Sequence, residues 1–381
     1  MISRNLTPLL RRSTRSTLLL GPRQTGKSTL IRSLQPDLTI NLADEATYLA
    51  FASNPREIYQ RLEGQSYRTV FLDEIQRLPS LLNTLQAILD EARFKVQCYL
   101  TGSSARKLRR GHANLLPGRL HTYVLGPLVA SELGYRLDAT KALARGTLPG
   151  IWLEANHQEA EKSLRSYAAT YLKEEIQAEA LTRNVEGFSR FLLVAAAEAG
   201  KFVDVSKLAS QASLPRQSAV RYFEILEDTL IIRRCEAFRK SLRRRLVQHP
   251  KFFFFDTGVL NGLLENFFVS ADRIGLLFEH LVFNQIIDSA QSQDKPIRVS
   301  SYRTEHGAEI DLVVELDDQM FAIEAKASSR VDHFDARGFR SFADYVGKKH
   351  HPVLIYLGRE KKRIDGIRVL PWQEFLRELG L

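Results

Sequence analysis

The chain has 381 residues, 44% of them hydrophobic, and carries 54 Lys and Arg against 44 Asp and Glu, a net charge of +10. That length allows two or three domains with buried cores. No apolar run approaches the roughly 18 residues that cross a bilayer, so no membrane partner is expected. Cys98 and Cys235 lie far apart without metal spacing, so nothing in the sequence implies a disulfide framework or a zinc site, and a reducing, cytoplasmic setting fits. The positive charge is clustered in residues 4 to 32 and 233 to 251, which points to a polyanionic partner, DNA before RNA.

The start, "MISRNLTPLLRRSTRSTLLL", is Arg-rich and acid-free, yet it runs directly into a strand-like segment, so it reads as a surface helix rather than a transit peptide. Residues 1–150 then alternate strand-like runs ("STLLL", "LTINL", "TVFLDE", "VQCYLTG") with helical ones, the pattern of a parallel α/β sheet. Between the first strand and a helix lies "GPRQTGKST", which fits G-x-x-x-x-G-K-[ST] through Gly21, Gly26, Lys27 and Ser28. Glycines let the backbone curl so that its N–H groups and the helix start face phosphate; Lys27 supplies charge, and Ser28, beside Thr29, offers a hydroxyl to Mg²⁺. "TVFLDE" ends in Asp73, placed to hold that metal, and Glu74, placed as general base. The run "QCYLTGSS" ends in hydroxyls, so Thr101 or Ser103 would sense the γ-phosphate or the attacking water, and Arg119 is a further candidate sensor or finger arginine.

With "VFLDEIQRLP", "YLTGSS", "GRLHTYVLGPLVASELG" and "FFFFDTGVLNGLL", this chain resembles a large group of little-characterised prokaryotic AAA-type ATPases. These carry a C-terminal domain of unknown function whose end resembles PD-(D/E)XK nucleases. The resemblance covers nearly the whole chain. It implies ATP as the nucleotide and a winged helix ahead of the nuclease-like end; a homo-oligomeric ring, in which AAA-type enzymes often complete the ATP site with a neighbour's arginine, stands as a further alternative.

Residues 151–265 read as mostly helical. In "DVSKLASQASLPRQSAVRYFEILEDTLIIRR", Leu208 and Ala212 share one helical face and Val220, Phe223 and Leu226 another, the spacing of a helix-turn-helix, with "LIIRRCEAFRK" supplying wing strands. Arg216, Gln217 and Arg221 would then point outward from the second helix toward phosphates or base edges, joined by Arg243, Arg244 and Arg245 of the basic run. A scaffold between domains would have the same helices.

Residues 266–381 return to mixed α and β, with a helix near 275–289, the hairpin "GAEIDLVVELDDQMFAIEAK", a helix near 334–346 and the strand "PVLIYLG". If Asp317 and Asp318 form a two-residue loop, Asp311 stands opposite Glu324 and Glu309 opposite Lys326. Ile310, Leu312, Val314, Phe321, Ile323 and Ala325 then form a core face, and the four charged residues share the other. Two carboxylates about 5 Å apart repel by roughly 3 kcal/mol at an effective dielectric of 20, a repulsion that a divalent cation would reverse. Asp followed by Glu-x-Lys is the arrangement of PD-(D/E)XK nucleases. By that resemblance Asp311 and Glu324 would hold Mg²⁺ or Mn²⁺, Lys326 would orient or help deprotonate the attacking water, and Glu279 would be an extra acidic ligand. The expectation is an ATP-hydrolysing, nucleic-acid-binding protein with a metal-dependent nuclease-like domain. The alternative is a regulatory switch or remodelling ATPase that keeps the C-terminal domain, catalytically silent, for recognition.

Overall fold

A computed structural model describes residues 2–91, 93–103, 118–171, 184–238, 249–347 and 349–381. The chain divides into two compact units, one built from residues 1–126 with short pieces at 228–230 and 291–294, the other from 127–227, 231–290 and 295–381. Among the described residues, no helix is long and apolar enough to cross a membrane.

The first unit is a parallel sheet of five strands: β1 (Ser16–Leu20), β2 (Leu38–Asn41), β3 (Thr69–Asp73), β4 (Gln97–Gly102) and β5 (Leu120–Val124), in the spatial order β2-β3-β4-β1-β5. Its inner strands are nearly continuous runs of buried residues, as strands covered on both faces must be. Leu18, Val70, Leu72 and Leu100 pack in one cluster with Leu82, Leu85 and Ile88 of the helix Leu81–Asp90. Leu19, Phe71 and Tyr99 point the other way, toward Leu30 and Ile31 of the helix Lys27–Arg32 and toward Leu6 and Leu10. The expected N-terminal helix is Thr7–Arg12; Leu10 is buried while Arg11 and Arg12 are exposed.

The second unit begins with short helices and then forms the pair Val205–Gln211 and Arg216–Asp228. Asp204 caps the first through the Ser206 N–H, and Leu208, Ala212, Phe223 and Leu226 are buried as the spacing requires. Two antiparallel strands follow, β6 (Ile232–Ala237) and β7 (Lys251–Phe254). They do not close a separate small sheet. β6 also pairs in parallel with β8 (Ile297–Arg303), so one eight-stranded sheet runs across the expected boundary at 265/266. Its order is β12-β13-β11-β10-β9-β8-β6-β7, with β9 (Glu309–Leu316), β10 (Gln319–Lys326), β11 (His351–Tyr356), β12 (Lys362–Ile364) and β13 (Ile367–Pro371). The long helix Ile274–Ser292 contributes Leu277, Phe278, Leu281 and Phe283 to the main core, beside Phe253 and Phe255.

The hairpin β9–β10 has the expected register, with Leu316 opposite Gln319, Val314 opposite Phe321 and Leu312 opposite Ile323. Asp317 and Asp318 have φ of 49° and 60°, the doubly left-handed loop whose twist matches that of the strands. Both faces of the hairpin are buried, however. Leu312, Val314, Phe321 and Ile323 pack in the main core, whereas Val313 and Ala322 lie in a second cluster with Phe339 and Phe342 of the helix Arg337–Val346. Ile310 also packs in that second cluster, which corrects its expected place, and a register shift between Ser300 and Tyr302 interrupts the β8–β9 ladder beside it.

Candidate functional site

Two sites are built at strand ends. The first lies where β1, β3 and β4 finish side by side, the end of a parallel sheet at which loops meet helix starts. Gly21 has φ of 156°, and a Cβ there would lie 2.2 Å from the Leu125 carbonyl oxygen, so the loop leaves β1 through a gap only glycine fits. Gly26, at φ 91°, turns the loop into the helix Lys27–Arg32. Lys27 is 5% exposed and donates to the Gly21 and Pro22 carbonyl oxygens at 2.8 and 2.7 Å, closing the loop around its own ammonium. Ser28 donates from Oγ to Asp73 Oδ1 at 2.7 Å, Thr101 Oγ1 donates to the same oxygen at 2.5 Å, and Arg32 Nη2 lies 3.3 Å from Asp73 Oδ2.

Asp73, 3% exposed, is therefore oriented from three sides. Glu74 follows with φ of 60°, a left-handed turn that carries its carboxylate off the strand. Gln76 Nε2 donates to Glu74 Oε2 and, at 3.1 Å, to Ser103 Oγ, while the Glu74 N–H donates to Thr101 Oγ1 at 3.2 Å. Thr101 is thus engaged with the acidic pair, whereas Ser103 reaches Glu74 only through Gln76, a residue the sequence reading did not single out. Arg4, 8% exposed, braces the loop by donating to the Thr25 and Gly126 carbonyls at 2.7 and 2.8 Å.

Magnesium is implied by this arrangement. The hard oxygens of Ser28 and Asp73 face each other within hydrogen-bond distance and fit such an ion. Thr29 is exposed on the same helix. Arg119 is not brought to the loop. Strand β5 pairs Leu120 with Ser16, the start of β1, whereas the loop leaves its end, and Arg119 Nη2 pairs with Asp90 Oδ2 at 2.9 Å.

The second site lies at the open end of the β9–β10 hairpin. The ladder stops at Leu312 and Ile323; beyond it Asp311 Oδ2 accepts the Ala325 N–H at 2.8 Å, and Lys326 Nζ lies 3.3 Å from Glu324 Oε2. Asp311, Glu324 and Lys326 are thus gathered as the spacing predicted, with Glu279 joining them from the helix Ile274–Ser292. The sequence reading missed Lys251, whose side chain is 3% exposed. Its Nζ donates to Glu279 Oε1 at 2.8 Å and Glu309 Oε1 at 3.0 Å, above the Phe202 ring at 4.7 Å. Burial raises the Glu279 carboxyl; Lys251 opposes that shift and Asp311 reinforces it. Glu324 rises for the same first reason, with Asp311 adding repulsion. Burial lowers Lys251, but Glu279, Glu309 and Asp311 outweigh it and hold the ammonium charged.

A divalent ion does not fit this second site as it stands. Among the described residues, no three His, Cys, Asp or Glu side chains are gathered to hold a metal, and the Lys251 ammonium already joins Glu279 to Glu309.

Several described cations of the basic runs pair with other groups of the chain, whereas Arg11, Arg12 and Arg15 are exposed. Arg233 bonds Asp288 and Asn284, Arg234 bonds Glu227, and Arg4, Lys27 and Arg32 belong to the first site. Arg216, Gln217 and Arg221 are exposed at the start of their helix. Arg243, Arg244 and Arg245 lie outside the described residues.

Comparison with known proteins follows the same divisions. Residues 13–134 match a family model described as an AAA domain, 136–268 a domain of unknown function (DUF8612), and 274–375 another (DUF4143). Uncharacterized proteins of Mycobacterium bovis and Mycobacterium tuberculosis are each 26% identical over 321 residues, spanning 82% of this chain and 70% of theirs. Among solved structures, a DNA polymerase III gamma subunit-related protein of Thermotoga maritima aligns at 15% identity and TM-score 0.25, over 59% of this chain and 97% of that one. A Vibrio cholerae protein aligns at 12% identity and TM-score 0.21, over 99% and 92%. The phosphate-loop unit thus carries an AAA-type ATPase domain, and two domains of unknown function follow it in the chain.

Proposed function

We propose that this chain is an ATP-hydrolysing switch that binds nucleic acid and uses its nuclease-like C-terminal domain for recognition rather than cutting. The observation that carries the ATPase half is the convergence of Lys27, Ser28, Asp73 and Glu74 at one strand end. Backbone N–H groups of the loop and the start of its helix receive the phosphates, and Lys27 exchanges the Gly21 and Pro22 carbonyls for phosphate oxygens. Ser28 and Asp73 would hold Mg²⁺, which supplies charge neutralisation between the β- and γ-phosphates. Glu74 accepts the proton of the attacking water, and its carboxylate is aimed by Gln76. Replacing Lys27 with Ala should abolish ATP binding and turnover in a direct binding and phosphate-release assay; retained turnover sinks the assignment.

Nucleic-acid contact is assigned to Arg216, Gln217 and Arg221, exposed at the start of the second of two adjoining helices, as in a winged helix. Changing all three to Ala should weaken DNA binding and flatten its salt dependence by about two units of log–log slope, one for each arginine. An unchanged slope would remove these helices from the interface.

Lys251 bound within the carboxylate cluster favours recognition over metal-dependent cleavage. ATP turnover without cutting of supercoiled, linear or single-stranded DNA or of RNA is the expected result with Mg²⁺ or Mn²⁺. Cutting that disappears in Asp311→Ala and Lys326→Ala while ATP turnover survives would restore the nuclease reading.

A further inference from the structure

Four carboxylates, Glu279, Glu309, Asp311 and Glu324, lie around the ammonium groups of Lys251 and Lys326 at the end of the hairpin, not close enough to one another to hold a metal as they stand, and each already has a donor. Glu279 and Glu309 share the Lys251 ammonium, and Arg303 Nε stands 3.8 Å from the second oxygen of Glu309. Asp311 accepts a backbone N–H from Ala325, and Glu324 pairs with Lys326. Lys251 differs from the other cations in how it is fixed. It opens β7, where its backbone stands opposite Cys235 on one side and forms a bridge to Phe202 on the other, and the Phe202 ring lies under its ammonium. A lysine held at both strand edges, with its side chain 3% exposed, is not a surface cation that has swung inward. It is set into the sheet.

We infer that Lys251 is a built-in cation for this cluster: its ammonium stands where a hard divalent ion would otherwise be held, and the carboxylates take up Mn²⁺ or Mg²⁺ only when that ammonium is removed. An ammonium satisfies two carboxylates by charge and hydrogen bonding but has no vacant coordination position, so the cluster is compensated without gaining a Lewis acid. Gly338 closes the other side. A Cβ there would lie 2.0 Å from the Glu309 carbonyl oxygen and 3.3 Å from Glu324 Oε1, so the helix Arg337–Val346 rests directly on the acidic residues. Removing the ammonium while keeping the carboxylates leaves clustered negative charge in a site that a hard oxygen-seeking ion can relieve.

This deepens the recognition reading of the C-terminal domain, and its test does not use cleavage. Mn²⁺ uptake by the nucleotide-free full chain, read from the electron paramagnetic resonance of free Mn²⁺, is compared among wild type, Asp311→Asn, Lys251→Met and the Lys251→Met/Asp311→Asn pair. Wild type and Asp311→Asn should titrate alike. Lys251→Met should gain one ion per chain, bound more than about tenfold tighter than any taken up by the wild type at this site, and the double variant should lose it. The melting temperature of Lys251→Met, but not of wild type, should rise with Mn²⁺. A Mn²⁺ ion bound by wild type and lost in Asp311→Asn overturns the inference, as does a folded Lys251→Met chain that gains none. If Lys251→Met does not fold, Lys251→Gln, nearly as long and neutral, takes its place, and the wild-type comparison decides in either case. Failure here would leave DNA binding through Arg216 and its neighbours untouched, and loss of that binding would leave Mn²⁺ uptake unchanged.

Discussion

Thr101→Val removes one hydroxyl and almost no volume, yet it strikes two groups. The Thr101 Oγ1 donates to Asp73 Oδ1 at 2.5 Å and accepts the Glu74 N–H at 3.2 Å, and Thr101 is fully buried. A hydrogen bond to a charged acceptor contributes about 1.5–3 kcal/mol, and a stranded buried N–H costs about 1–3 kcal/mol. Because Ser28 and Arg32 still hold Asp73, the two losses should combine to about 2–4 kcal/mol. With a urea slope of about 2 kcal/mol/M for a unit of this size, the midpoint should fall by roughly 1–2 M. Tryptophan fluorescence would not read this, since Trp152 and Trp372 both belong to the other unit. Cys98 reads it directly. It lies in β4 three residues before Thr101, is 2% exposed, and burial pushes its thiol up to about 12, so it is alkylated only when the unit opens. Pulsed alkylation along a urea series, with Cys98 and Cys235 resolved by peptide mass, gives the midpoint of each unit separately. Thr101→Ser, which keeps both bonds and loses one methyl, should cost only about 1 kcal/mol. A Thr101→Val midpoint within about 0.3 M of wild type would refute the claim that this hydroxyl holds the acidic pair.

Gly338→Ala should destabilise the second unit by more than about 2 kcal/mol, measured by urea unfolding of Trp372, because its Cβ would meet the Glu309 backbone oxygen. Gly64→Ala, with nothing within 4 Å, should leave the first unit as stable or more so. Replacing Asp317-Asp318 by Asn-Gly should stabilise the second unit by about 0.5–1 kcal/mol, since both positions have positive φ; a loss would show that the aspartates make contacts of their own. His280 is buried, which pushes its imidazole down to about 4, and its Nε2 meets the Phe254 carbonyl oxygen. The folded chain therefore binds fewer protons there than the unfolded one below about pH 6.5, so the stability His280 contributes is present above that pH and lost as pH falls toward 4. The stability gap between wild type and His280→Gln should narrow by about 3 kcal/mol from pH 7 to pH 4; a constant gap would mean that the buried ring titrates normally.

Much of the first unit was legible because each of its signals is local. A glycine loop between a strand and a helix, then an acidic pair at a strand end, carries its own placement. Arg119 does not stand at the chain's own phosphate loop because β5 pairs alongside β1 from its start, and nothing near Arg119 in sequence tells which end of the sheet it will occupy. The hairpin was readable because two turn residues and an alternating pattern fix a register. Strand β8 was not, since Ser300 and Ser301 are polar yet buried at its centre and break the apolar pattern. Lys251 was hidden for a related reason. Next to "RRRLVQHP" it reads as one more surface cation, whereas the four phenylalanines that follow it draw the strand into the core and the lysine with it. A lone lysine directly ahead of a wholly apolar strand was the available signal.

The Asp317-Asp318 loop sits six residues along the strand from Asp311, roughly 20 Å from the carboxylates it sets. Its length acts as a ruler. Because side chains alternate with period two, one residue added to or removed from that exposed loop would carry Asp311 or Glu324 to the opposite face, into the company of Leu312 and Ile323, without altering a single residue of the cluster. Among chains descended from a common ancestor with this one, loop length at this turn should therefore change in steps of two or not at all, even where neither aspartate is kept.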